Sequence, residues 1–208
     1  MAGLGARLYE PILGRLLSGV RRAGLALCPP RPGMRVVDVG CGTGAVLARY
    51  AAAGCRVAGL DASASMLAEA RRRLGPGALL AVGEATALPF AAGSADLVTA
   101  MMLLHTLPEE DRPLALAEMA RVAGARGRVL IADYGPARMP TFGARLSRSL
   151  AGAIEGLAGH GGGMRSLRAV GGVAGLAGRA GMVVRAESAA AGGAIMISVL
   201  LPIDPPGG

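Results

Sequence analysis

Asp38 stands two residues ahead of Gly40-Cys41-Gly42-Thr43-Gly44, and Asp61 follows 17 residues after the last of those glycines. An acid, an alternating glycine run and a second acid at this distance suit a ligand that carries positive charge and a ribose. Glycines remove the Cβ atoms that would keep a ligand off the backbone. A carboxylate just before such a loop repels a pyrophosphate seated on the following helix N-terminus and attracts an ammonium or sulfonium. A carboxylate where the next strand ends can accept both ribose hydroxyls. Asp61 alone does not discriminate, because a nicotinamide enzyme uses the same device. Gly40-x-Gly42-x-x-Ala45 also satisfies the loose dinucleotide fingerprint.

These residues need a strand, a tight turn and a helix to hold them. Val36-Val37-Asp38-Val39 reads as the strand and Ala45-Val46-Leu47-Ala48-Arg49-Tyr50 as the helix. The pattern predicts strands over 34–39, 55–60, 78–82, 95–101 and 127–133, with helices over 44–53, 63–74 and 112–123. That alternation implies parallel strands with crossover helices on both faces. Residues 3–27 space Leu4, Leu8, Ile12, Leu16 and Val20 as a helix that Pro11 can break. After Tyr134 come two glycine-interrupted helical stretches, 141–158 and 166–180, and then apolar runs at 182–187 and 194–201. The six residues Ser188 to Gly193 cannot contain a crossover helix, so these last two strands are expected to be antiparallel neighbours.

The chain has 208 residues and a net charge of +8, which suits a single domain. Lysine, asparagine, glutamine and tryptophan are absent, as a GC-rich bacterial genome would produce. No lysine remains for a Schiff base or a P-loop, and no Asn-Pro-Pro-Tyr is present. Positive charge concentrates in 112–185, where 11 arginines face 3 acids. No aromatic-interleaved basic stripe accompanies it, so no nucleic-acid partner is expected. Cys28, Cys41 and Cys55 lack metal-ligand spacing, and no metal is expected. Their odd number, together with Arg7, Arg15, Arg21 and Arg22 breaking any signal-type apolar stretch, points to a reducing cytoplasm. No run approaches ~18 apolar residues, although the arginine-bearing first helix could rest on anionic lipid.

Further segments fall in register behind the glycine loop. They are Asp61-Ala62-Ser63-Ala64-Ser65-Met66-Leu67, Gly83-Glu84-Ala85, Leu88-Pro89-Phe90, Ser94 to Ala100, Leu104-His105-Thr106-Leu107-Pro108, Leu116 to Val122 and Gly127 to Asp133. Together they resemble the class I S-adenosylmethionine-dependent methyltransferases, most closely the group that includes the ubiquinone/menaquinone-biosynthesis C-methyltransferases. The resemblance is close over 34–134 and extends in outline over 1–33 and 135–201. It implies an α/β, Rossmann-like, doubly wound sheet of seven strands, mostly parallel with one antiparallel strand near the C-terminus. It also implies a helical lid (1–33), a cofactor core (34–134), a variable substrate cap (135–180) and a C-terminal strand pair (181–201).

The resemblance further implies residue roles. Asp38, Gly40, Gly42 and Gly44 would hold the methionine end of S-adenosylmethionine, and Met101 would line it. Asp61 would take the ribose, while Ala62 and Met66 pack on adenine and Glu84 and Ala85 read its edge. The usual pattern has aspartate where Glu84 stands, so that acceptor oxygen is displaced by one methylene. Tyr9 would close over the cofactor from the lid. His105, after the fourth strand, is the leading candidate to take a proton, with a capping or pocket-wall role as its alternative. Asp133, Tyr134 and His160 are weaker candidates, and Gly159 to Gly163 is expected to be a loop with few side chains to shape a pocket. The expected activity is methyl transfer to a small or lipid-like acceptor, quinone-type among them. A non-catalytic cofactor-binding relative and a nicotinamide-dependent oxidoreductase are the alternatives.

Overall fold

The computed structural model describes residues 17–136 and 161–203. Helix α1 is described over 17–27 and is followed by β1 (Arg35–Val39), α2 (Ala45–Ala52), β2 (Arg56–Asp61), α3 (Ala64–Leu74), β3 (Leu79–Val82) and β4 (Leu97–Met101). A single 3-10 turn (Leu104–Thr106) leads to α4 (Asp111–Ala123) and β5 (Arg128–Tyr134). Helices α5 (Gly161–Ala169) and α6 (Gly172–Ala177) precede the final strands, β6 (Met182–Ala190) and β7 (Ile195–Pro202). The strands form one seven-stranded sheet in the order β3-β2-β1-β4-β5-β7-β6. All pairings are parallel except those of β7, which runs antiparallel to both β5 and β6. This is the doubly wound architecture expected from the sequence, with its one antiparallel strand in the expected place.

Alternation along each strand supplies the two faces. Val37, Val39, Val98 and Ile131 pack with Leu116, Met119 and Val122 of α4, Leu167 of α5 and Leu176 of α6. Val36, Leu97 and Leu130 point the other way, toward Leu17 and Val20 of α1, Leu47 and Tyr50 of α2, and Leu67 of α3. Strand β1 is buried at four consecutive positions, as a central parallel strand covered on both faces must be. Asp38 is one of those four, so its charge is set inside the α1–α2–α3 side of the core.

The expected stretch 166–180 is divided between α5 and α6, β4 begins at Leu97 rather than at 95, and two further boundaries differ from expectation. Strand β6 continues to Ala190, and only Ala191–Gly193 turns the chain into β7, with Gly192 at φ 64° and Gly193 at φ 89°. Glycines tolerate the left-handed backbone this tight reversal needs, which allows the hairpin to be longer than residue types alone suggested. The expected Gly159–Gly163 loop is helical from Gly161 onward. The N-terminal part of the first helix, the stretch 141–158, Tyr9 and His160 lie outside the described residues.

Candidate functional site

The parallel strands β1, β2 and β4 end together, and a cavity of about 670 Å³ opens there. This is where an open α/β sheet places its ligands, at the point where strand order reverses between β1 and β4. Asp38, Gly40 and Gly42 enter the wall from β1 and the loop after it, and Asp61, Ala62, Ser63 and Met66 from β2 and the start of α3. Gly83, Glu84 and Ala85 follow from beyond β3, and Met101, Met102 and Leu103 from the end of β4.

The loop is shaped for close approach. Gly42 takes φ 53°, and nothing lies within 4 Å of where a Cβ would stand. Its backbone N–H donates to Asp61 Oδ2 at 2.7 Å, and Ser63 N–H donates to Asp61 Oδ1 at 2.9 Å. Asp61 therefore braces the loop with one lone pair on each oxygen and keeps further acceptor capacity. Ser63 also caps α3 by accepting from Met66 N–H, which aims the first turn of that helix at the cavity.

Asp38 is 2% exposed, and the Thr99 hydroxyl on the adjoining strand donates to its Oδ1 at 2.5 Å. Burial pushes the Asp38 carboxyl up to about 7, and the nearby Asp61 charge adds to the rise. The Thr99 hydrogen bond and the positive charge of Arg21 oppose it. Arg21 reaches the same cavity from α1, beside Leu17 and Val20. A buried carboxylate, an arginine and a second carboxylate thus face one space. Such a donor set fits a zwitterion attached to a ribose: an ammonium and any adjacent cation for Asp38, a carboxylate for Arg21, hydroxyls for Asp61.

Of the residues singled out from sequence, Asp38, Gly40, Gly42, Asp61, Ala62, Met66, Glu84, Ala85 and Met101 all line this cavity. Gly44 does not. It takes φ 74°, and a Cβ there would stand 3.0 Å from Leu74 Cδ1 and 3.2 Å from Ala70 Cβ. The missing Cβ lets α2 start against α3, which is a packing requirement. His105 also stands behind the cavity wall, while its neighbours Thr106 and Leu107 are in the wall. The imidazole is 2% exposed, with Nδ1 2.8 Å from Asp133 Oδ1, and it meets the Tyr134 ring edge-on at 4.8 Å. Asp133 also accepts the backbone N–H groups of His105 (3.3 Å) and Tyr134 (2.7 Å). Thus His105, Asp133 and Tyr134, separate candidates in the sequence, form one buried cluster. Leu88-Pro89-Phe90 proves to be a latch onto α4: Leu88 N–H donates to Glu118, and Arg121 donates to the carbonyls of Leu88 and Phe90 and to Glu118.

Sequence reasoning treated Arg21 only as one charge of a basic helix. The signal that locates it is the spacing Leu17, Val20, Arg21, which puts the arginine on the helix's buried face. Thr99 carries no such local signal: it is the position on β4 that pairs with Asp38 on β1, a register set by the sheet. Among the described residues no group of three metal-ligating side chains occurs, and no helix is long and apolar enough to cross a membrane.

Fold and cavity together define an α/β protein built to hold a nucleoside-type ligand at the carboxyl ends of its parallel strands. Residues 36–127 match the family described as a methyltransferase domain. A demethylmenaquinone methyltransferase of Renibacterium salmoninarum is 44% identical over 112 residues, which cover 54% of this chain and 45% of that protein. A nocamycin O-methyltransferase of Saccharothrix syringae is 37% identical over 133 residues, 60% of this chain and 44% of that one. The solved magnesium protoporphyrin IX methyltransferase of Synechocystis, which has S-adenosylhomocysteine bound, superposes with a TM-score of 0.64 at 18% identity, covering 92% of this chain and 87% of that one. Residues 36–127 thus form a methyltransferase domain of the class I S-adenosylmethionine-dependent kind. The chain spans about half the length of the curated relatives it matches.

Proposed function

We propose that this chain binds S-adenosylmethionine in the 670 Å³ cavity and transfers its methyl group to a small aromatic acceptor of the quinone type. The observation that carries the reading is the meeting of Asp38, Arg21 and Asp61 around the open face of Gly42. The acceptor class rests on the similarity to demethylmenaquinone methyltransferases, which covers about half of their length.

When bound, the cofactor supplies an activated methyl on a sulfonium, and loss of that methyl leaves a neutral thioether. The chain's own task is then mainly positioning. Asp38 holds the cationic end, and Arg21 takes the carboxylate beside it. Asp61 accepts the ribose hydroxyls, while Met66 and Ala62 cover the adenine and Glu84 and Ala85 read its edge. Tyr9 is assigned to the lid. Thr106 and Leu107 present the wall toward the acceptor, and His105 supports them from behind through its pairing with Asp133. We assign His105 a positioning role on the acceptor side, because its ring is turned to Asp133 behind the wall that Thr106 and Leu107 form. The segments 1–33 and 135–180 are assigned to lid and cap over the core.

Calorimetric titration tests the cofactor assignment. S-adenosylhomocysteine should bind saturably, and Asp61→Ala should weaken it by about 1–3 kcal/mol through lost ribose hydrogen bonds. His105→Ala should leave that affinity nearly unchanged. Tight binding of NAD with none of S-adenosylhomocysteine would overturn the reading. A single turnover with labelled cofactor and a set of hydroquinones separates a transferase from a non-catalytic binder, which would label nothing.

Arg21 gives a finer test. The wild-type chain should prefer S-adenosylhomocysteine over 5′-methylthioadenosine, which lacks the amino-acid group. Arg21→Ala should narrow that preference by about tenfold, the worth of one charge-assisted hydrogen bond. An unchanged preference in the variant would remove Arg21 from the carboxylate position.

A further inference from the structure

A second cavity, of about 460 Å³, opens at the opposite edge of the sheet, where β1, β4 and β5 begin. Arg31, Arg126 and Arg128 line it, and all three are exposed. Among the described residues the one carboxylate in its wall, Asp96, is already taken. Arg35 Nη2 lies 2.7 Å from Asp96 Oδ1, while Arg35 Nε and its backbone N–H donate to Oδ2 at 3.3 and 2.8 Å. That pairing holds the Asp96 carboxyl below the usual carboxylate range. The cleft is therefore left with an excess of positive charge, and Arg31 and Arg126 form no ion pair among the described residues.

The cleft is also preformed. Its rim, the connection from α1 to β1, is pinned by Tyr50 OH donating to the Cys28 carbonyl (2.9 Å) and Cys55 Sγ donating to the Arg31 carbonyl (3.2 Å). Gly33 N–H donates to the Gly54 carbonyl at 2.8 Å, and Arg56 N–H to the Met34 carbonyl at 2.8 Å. Arg31 stands on this pinned rim, and Arg126 and Arg128 face the same cleft from the α4–β5 connection and the start of β5. Their planar forks match the oxygen pairs of a phosphate. Among the described residues no aromatic side chain lines the cleft, and none there offers the stacking platform that single-stranded nucleic acid uses.

We propose that this cleft is a binding site for a phosphate-bearing anion, separate from the cofactor cavity and independent of the activity assigned to it. The phosphate could be free or belong to a lipid headgroup, and two probes distinguish these sources. One is inorganic pyrophosphate, followed by calorimetry on the full chain. The other is cosedimentation with phosphatidylcholine vesicles, with or without phosphatidylglycerol.

At least one probe should bind saturably and weaken as salt is raised. The double substitution Arg31→Ala/Arg126→Ala should weaken that binding at least tenfold while leaving S-adenosylhomocysteine titration unchanged. A charge-matched control, Arg72→Ala/Arg179→Ala, changes two exposed arginines outside the cleft and should retain it. Absence of saturable binding to both probes would overturn the proposal. So would equal weakening in cleft and control variants, which would mean that net charge alone attracts the anion.

Discussion

Affinity for S-adenosylhomocysteine should rise about tenfold per pH unit from about pH 5 toward pH 7 and level off above it, because Asp38 must lose its proton to receive the ammonium. The carboxyl titrates at about 7 in the ligand-free fold, where burial outweighs the hydrogen bond from Thr99 and the charge of Arg21. Bound cation favours the ionised form, so below that value binding expels close to one proton. Calorimetry in two buffers of different ionisation enthalpy counts it directly. Folding stability follows the opposite course. The folded value lies above the ordinary 3.8 of the unfolded chain. Between the two, the fold holds a proton that the unfolded chain has released, so stability of the ligand-free protein falls as pH rises through this window. The fall is on the order of 4 kcal/mol when the whole window is crossed. Asp38→Asn keeps an acceptor for Thr99 and removes the titration. It should flatten both profiles and weaken cofactor binding at least tenfold above pH 7. Thr99→Val removes the hydroxyl that favours the carboxylate and should move the midpoint of the binding profile upward. A binding profile unchanged by Asp38→Asn would show that the cation is held elsewhere.

The sheet and most of the cavity were legible because their signals are local. Val36-Val37-Asp38-Val39 carries its own strand pattern, and the glycine run carries its own turn. The antiparallel pairing of β6 and β7 then follows from the short final connection, whereas the order of the strands is a finding of the structure. Asp61, Met66 and Glu84 were locatable because they sit where strands β2 and β3 give way to the next element. What escaped depended on contacts between distant segments. The motif contains three glycines of one type, yet Gly42 faces the cavity while Gly44 faces Leu74 and Ala70 of α3. Spacing along the chain does not distinguish them, because the difference lies in what packs on each. His105 likewise occupies the expected place after β4, but its ring is turned toward Asp133 on the neighbouring strand rather than toward the cavity. Gly161 to Gly163, part of the loop that the sequence predicts, instead open helix α5. Glycine lowers helix propensity by roughly 1 kcal/mol per residue, and tertiary contact overrode it.

That override makes two adjacent glycines diverge. A Cβ on Gly163 would stand in severe overlap with the His105 carbonyl oxygen, whereas nothing lies within 4 Å of one on Gly162. The contact brings α5 against the turn carrying His105, and buried Arg112 locks it. Arg112 is 2% exposed; its Nε donates to the carbonyls of Leu104 (3.0 Å) and Leu107 (3.2 Å), and its Nη2 to the Gly163 carbonyl (3.3 Å). Neither backbone can yield without breaking these bonds or the His105–Asp133 pairing, so the strain cannot be relieved by rotating a side chain. Gly163→Ala should therefore destabilise the fold by about 3 kcal/mol or more, the cost of a core overlap plus unsatisfied buried carbonyls. Gly162→Ala, on an open face of the same helix, should instead stabilise by about 0.5–1 kcal/mol through reduced chain entropy. Urea unfolding of the two variants gives the signs. Cofactor titration supplies the second reading: Asp38 and Asp61 lie on strands outside this contact, so folded Gly163→Ala protein should retain S-adenosylhomocysteine affinity while methyl transfer falls. Equal stability of the two variants would mean that α5 does not dock on the His105 turn. Retained transfer in Gly163→Ala would mean instead that the docking does not shape the acceptor wall at Thr106 and Leu107.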